Sequence, residues 1–208
     1  MKTKKILIYI TISLFSTNIF ALDKYILKKE TSPIDYAENM MKELKLKEKI
    51  IKKCPKLIKK DVEKYIDSIF VLSKEYNLDP VFLTSLIWVE STFNNKAKSP
   101  VGANGLMQIM PDTKKYLFKK IDKEEYHRIS FQLRLNENLS FNDAENLILG
   151  SYYLSLLNQK FKNIIHSTTA YNMGPGWVYK KIRRKYPIGS KSNYINKIKN
   201  KYQLFSLK

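Results

Sequence analysis

The sequence predicts a mainly α protein, and three observations carry that reading. From residue 61 onward apolar side chains recur at helical spacing, no alternating apolar–polar run is long enough for a useful strand, and the breaks between runs hold residues that cap or stop helices. A length of 208 residues, with 44% hydrophobic and 27% charged side chains, suits one core-forming domain with appendages.

The first element is not part of that core. "MKTKK" is a basic stretch, and the apolar "ILIYITISLFSTNIF" after it is short for a membrane span. Residues 1–21 therefore read as a secretory signal peptide ending at Ala21, with an uncleaved anchor as the alternative. Residues 22–60 are lysine-rich and read as an N-terminal extension or linker. A short amphipathic helix, "YAENMMKELKLKEKIIKK", is expected within it between Pro33 and Pro55.

The core-forming domain is expected over 61–208. Val62, Tyr65, Ile66, Ile69 and Phe70 mark its first helix. Asp79 caps the second, with Pro80 at the first helical position, where its missing N–H costs nothing. Phe82, Leu83, Leu86, Ile87 and Val89 bury most of that helix's circumference. A short helix opens at Pro111, whereas 122–141 is mixed and yields no assignment. "NDAENLILGSYYLSLLNQKF" places Leu147, Gly150, Leu154, Leu157 and Phe161 on one stripe, with Asn142 or Asp143 as cap. Gly150 lowers helix propensity, which predicts the close approach of another helix there. "NIIHSTTAYN" is helical until "MGPG" stops it, and "WVYKKIRRKY" and "NYINKIKNKYQLF" are the last two helices.

Composition excludes several chemistries. Cys54 is the only cysteine, so no internal disulfide forms, and nothing near it makes it more than an incidental thiol. The two histidines, His127 and His166, lie far from any zinc-binding spacing, and no phosphate-cradling glycine loop is present. The net charge of +19 suits an anionic partner, yet only four of 38 basic residues are arginine and AT-rich codons alone explain abundant lysine. Arginine makes the bidentate base contacts of nucleic-acid sites, so no nucleic-acid partner is expected.

Glu90 then stands out. It ends an apolar helix, where the negative end of the macrodipole and the dry surroundings of Leu83, Leu86 and Ile87 would both raise its pKa. That is what a general acid near neutral pH requires. The loop after it carries Gly102 and Gly105, which allow tight backbone approach, and "LMQ", which sets Met107 beside Gln108. An apolar wall with a neutral two-sided hydrogen-bonder suits a sugar rich in hydroxyl and acetamido groups.

"ES" (90–91), "GLMQIMP" (105–111) and "AYN" (170–172) resemble, in order and spacing, the motifs of the soluble lytic transglycosylases, peptidoglycan-cleaving enzymes with a goose-type lysozyme-like fold. The resemblance runs from about Val62 to Tyr202 and includes "NLILGSYYLSLL". It implies Glu90 as sole catalytic acid/base, with Ser99, Met107, Gln108, Tyr171, Asn172 and Tyr194 as substrate-binding residues. Tyr171 and Tyr194 also fit as core aromatics and Met107 as core packing. Where the family often has Glu-Thr-Arg before the last tyrosine, this chain has "SKS" (190–192), so Ser190 replaces a carboxylate.

The implied reaction is non-hydrolytic cleavage of the bond between N-acetylmuramic acid and N-acetylglucosamine, leaving a 1,6-anhydro end and needing no cofactor or metal. A water-using muramidase and a non-catalytic wall-binding assembly factor are the alternatives. The partners implied are peptidoglycan glycan strands, with a wall-spanning secretion or conjugation apparatus also compatible. Membrane contact is expected only through an uncleaved signal segment, and the place of action is the periplasm or cell wall.

Overall fold

The computed structural model describes residues 33–206, apart from 138, 190 and 191. The expected signal segment and Ser190 lie outside the described residues. Those described form helices α1 (Pro33–Lys53), α2 (Lys56–Glu75), α3 (Pro80–Ser91), α4 (Pro111–Phe118) and α5 (Lys123–Glu137). After these come α6 (Phe141–Phe161), α7 (Ile164–Met173), α8 (Pro175–Arg183) and α9 (Asn193–Ser206). Isolated bridges at Lys98–Asn104 and Asn104–Ile109 are the only β pairing among the described residues, so the mainly α expectation holds.

The chain groups into two compact units that divide after Leu46. The described part of the first is the opening of α1, a polar helix with Asp35 in its first turn, where a carboxylate suits the helix dipole. In the second, the end of α1 already contributes core: Ile50 is fully buried, and the Lys47 ammonium lies 2.6 Å from Asp67. Cys54 is buried too, and burial pushes its thiol up to about 11, which keeps it protonated and unreactive.

α3 is the central strut. Asp79 Oδ1 accepts from the N–H groups of Val81 (2.7 Å) and Phe82 (3.0 Å), as the cap-and-proline pattern predicts. Leu83, Leu86 and Ile87 have no exposed surface, a burial worth about 1.5–3 kcal/mol for each side chain. α9 packs against α3: Trp88 and Phe205 rings lie 5.5 Å apart, and Tyr202 Oη donates to Asp79 Oδ2 at 2.9 Å. The two helices run antiparallel, so the first turn of α9 reaches the end of α3 while Tyr202 reaches its start.

α6 packs against α5, α7 and α2. Its cap is Ser140, whose Oγ accepts from Asp143 N–H at 3.1 Å, so the helix starts ahead of the expected Asn142 or Asp143. Asp143 is instead spent on tertiary contacts. α5 fills the stretch that gave no assignment; its apolar positions are sparse but Ile129 and Leu133 are buried, i and i+4 on one face.

Candidate active site

Glu90 lies in the last turn of α3, and Thr92 ends that helix in a left-handed conformation. The carboxylate is half-buried, and burial raises it to about 7, the neighbouring Tyr194 hydroxyl offsetting part of the rise. Tyr194, in the first turn of α9, donates its hydroxyl to Glu90 Oε1. Among the described residues no cation and no second carboxylate contributes to the shift of Glu90. Near neutrality the group therefore exists in both protonation states, able to give a proton and to take one back.

The loop between α3 and α4 is built from its own polar groups. Ser99 Oγ accepts from Ala103 N–H at 2.9 Å, and Gln108 Nε2 donates to the carbonyls of Ala97 (3.1 Å) and Gly105 (2.9 Å). Gln108 itself holds a positive φ of 48°. Its amide donors thus brace the loop, which satisfies the demand that a half-buried amide find partners.

Asn146 of α6 pins the loop from below. Its Oδ1 accepts from Met107 N–H at 2.8 Å, and its Nδ2 donates to Asn104 O at 2.9 Å. Gly105 permits this approach: at φ +78° a side chain there would be strained, and its Cβ would lie 2.6 Å from Asn146 Nδ2. One turn further along α6, a Cβ on Gly150 would lie 2.7 Å from Met107 Cβ. The element that closes on Gly150 is therefore the loop's Met107 and not another helix, which corrects that expectation. Met107 is fully buried, its Sδ 3.8 Å from Ser151 Oγ. Its side chain belongs to the core, and it meets the site through its backbone carbonyl.

That carbonyl accepts from Tyr171 Oη at 2.8 Å. Tyr171 comes from α7, with its ring 5.4 Å from that of Tyr153. Burial, with the charge of Glu90 adding to it, holds both Tyr171 and Tyr194 hydroxyls far above the usual phenol range, so they act as neutral donors. Asn172, next on α7, is exposed, and no hydrogen bond among the described residues brings it to Glu90. Glu90, Tyr194 and Tyr171 thus form one electrostatic group, Met107 joins it through Tyr171, and Ser99 and Gln108 shape the loop beside it.

Sequence reasoning missed Asn146. A polar residue four positions before Gly150, beside an apolar stripe, was the available signal, because i and i+4 share a helix face. Asn146 also borders a cleft of about 480 Å³ with Asn95, Asn104 and Lys114, whose lining does not include Glu90. The carboxylates at that cleft are engaged, Asp143 with Lys64 and Asn95 and Glu145 with Lys114.

Residues 67–194 match the family described as Transglycosylase SLT domain. The soluble lytic murein transglycosylase of Escherichia coli (strain K12) is 41% identical over 90 residues, 43% of this chain and 13% of that protein. Membrane-bound lytic murein transglycosylase C of Actinobacillus pleuropneumoniae (serotype 5b) is 28% identical over 124 residues, 56% of this chain and 32% of that one. This chain therefore spans no more than a third of the length of these relatives. The solved 70 kDa soluble lytic transglycosylase of Escherichia coli aligns with a TM-score of 0.48 and 26% identity, over 64% of this chain and 23% of that one. The match over 67–194 takes in well over half of the sequence, and the chain belongs to the Transglycosylase SLT domain family.

Proposed function

We propose that the chain is an exported peptidoglycan lytic transglycosylase in which Glu90 is the only acid/base. The observation that carries this is a half-buried carboxylate raised to about 7 whose hydrogen-bond partner is the neutral Tyr194 hydroxyl. Protonated Glu90 donates to the oxygen linking N-acetylmuramic acid to N-acetylglucosamine. The muramic acetamido group stabilises the positive charge developing at C1, the part a second carboxylate plays in ordinary glycosidases. Ionised Glu90 then takes the proton of that sugar's C6 hydroxyl as the oxygen attacks C1, closing a 1,6-anhydro ring without consuming water. Tyr171 and Tyr194 fix the acid and the loop wall. Ser99, Gln108 and Asn172 border the strand, and Met107 supports it from behind.

Mass spectrometry of muropeptides released from purified peptidoglycan tests this reading. The expected products are lighter by one water than lysozyme products and resist borohydride; reducible muramic ends would make the enzyme a muramidase. The organisation proposed with it is a signal over 1–21, an extension over 22–60 and the SLT domain over 61–208. N-terminal sequencing of the protein from its host should then begin near Leu22, and an intact Met1 would refute cleavage.

A further inference from the structure

Charge is not spread evenly along this chain. Residues 146–208 hold twelve lysines and arginines and no aspartate or glutamate; at the overall rate of 19 acids in 208 residues, those 63 would hold about six. Codon drift toward lysine explains the bases but not the missing carboxylates, since acidic codons are equally compatible with AT-rich DNA. The fold concentrates part of this charge on one helix.

Val178 is fully buried against Leu157 and Ala170, which anchors the first half of α8, and the residues after it come to the surface. The last turn of α8 is basic, with Lys180, Lys181 and Arg183, and Arg184 follows at its C-terminus. Bulky side chains stand among these charges: Tyr179 is 46% exposed, Ile182 42% and Tyr186 56%. The end of α6 joins the same surface, for Lys160 Nζ sits 4.9 Å from the Tyr179 ring centre. Lys181 lies over both Trp177 (5.1 Å) and Tyr186 (4.8 Å), so the aromatic and cationic groups form one layer.

We propose that the exposed C-terminal end of α8, with the residues just after it and the adjoining end of α6, docks on an anionic phospholipid bilayer. Lysine and arginine meet lipid phosphates, while tyrosine and isoleucine enter the boundary between headgroups and acyl chains, where ring and polar tip are both satisfied. A polysaccharide or nucleic-acid partner would use the cations but would leave Ile182 without an apolar environment. The sequence reading allowed membrane contact only through an uncleaved signal; this surface is a second route, and it does not depend on Glu90.

The test is co-sedimentation of the full chain with phosphatidylcholine vesicles containing or lacking phosphatidylglycerol, so that the N-terminal segment is common to every comparison. The wild type should favour the anionic vesicles. K180Q/R183Q/R184Q should weaken that binding by roughly 100-fold, whereas K119Q/K120Q/K123Q, an equal charge change elsewhere, should weaken it less than about threefold. I182S/Y186S should weaken it about tenfold, with the loss persisting at high salt, where charge attraction is screened. Equal losses in the two triple variants, no preference of the wild type for the anionic vesicles, or tighter binding to duplex DNA than to anionic vesicles would overturn the proposal. Circular dichroism confirms that each variant is folded.

Discussion

Glu90 and Asp143 are both carboxylates withdrawn from water, one in the last turn of α3 and one in the first turn of α6, and the fold treats them in opposite ways. Asp143 is 4% exposed and surrounded by donors: Lys64 at 3.2 Å, Tyr65 at 3.0 Å and Asn95 at 2.9 Å. It also sits at the positive end of its helix dipole. Among the described residues Glu90 has a hydroxyl partner and no cation, at the negative end of α3. The difference separates architecture from chemistry. A carboxylate supplied with charge and donors holds elements together; one denied them keeps its proton to higher pH and stays available for transfer.

The widest separation between the two comes from Glu90→Gln. General acid–base help is worth about 10²–10⁴-fold, and in the proposed mechanism one residue serves both half-reactions, so lysis of peptidoglycan should fall at least that far while wall binding persists. Stability should move differently. Because the folded-state pKa lies above the ordinary 4.5, at about 7, ionising Glu90 opposes the fold, and wild-type stability declines as pH rises from about 4.5 to about 7. Glu90→Gln should lack that decline, which melting temperatures across the interval would show. Undiminished lysis would remove Glu90 from the chemistry.

Asp143→Ala should do the reverse. It leaves Lys64, Tyr65 and Asn95 without their shared acceptor and should cost about 3 kcal/mol, or roughly 6–12 °C in melting temperature. Turnover per folded molecule should stay near wild type. A large activity loss without destabilisation would mean that the two sites are not separate in role.

Tyr194→Phe is the smallest and sharpest change. The hydroxyl pulls the Glu90 pKa down against burial, so its removal should carry the pKa further up and shift the alkaline limb of the pH–rate profile to higher pH. The rate should drop about tenfold from lost positioning. A limb that stays in place would show that Tyr194 does not act through Glu90.

How much of this could be read in the sequence depended on whether the partners were near in the chain. The Asp79–Pro80 cap, the apolar α3 and the stop at "MGPG" are local signals, and each sits in the structure as expected. The burial of Glu90 was legible because the residue ends an apolar helix, which is a local signal. The Tyr194–Glu90 pair spans 104 residues, and only the family resemblance pointed to the tyrosine. Met107 misled because an apolar side chain in a polar loop reads equally as wall or as core; the hollow at Gly150 that receives it is 43 positions away and became visible only in the fold. Asn146 was overlooked because its spacing from Gly150 marks a shared helix face but not the loop backbone, 39 and 42 positions away, that it meets there.

The two loop glycines also say where this family member can change length. Gly102 adopts φ +93° with nothing within 4 Å of where a Cβ would stand, next to a Val101 that is 75% exposed. Extra residues there would project into solvent, as at other exposed loop tips. Gly105, Met107 and Gln108 are tied to α6, to α7 or to the loop's own carbonyls, and one added residue would break the alignment of Met107 with both Asn146 and Tyr171. Relatives that differ in loop length should therefore carry their insertions on the Val101–Gly102 side, leaving the segment beside the acid constant in length.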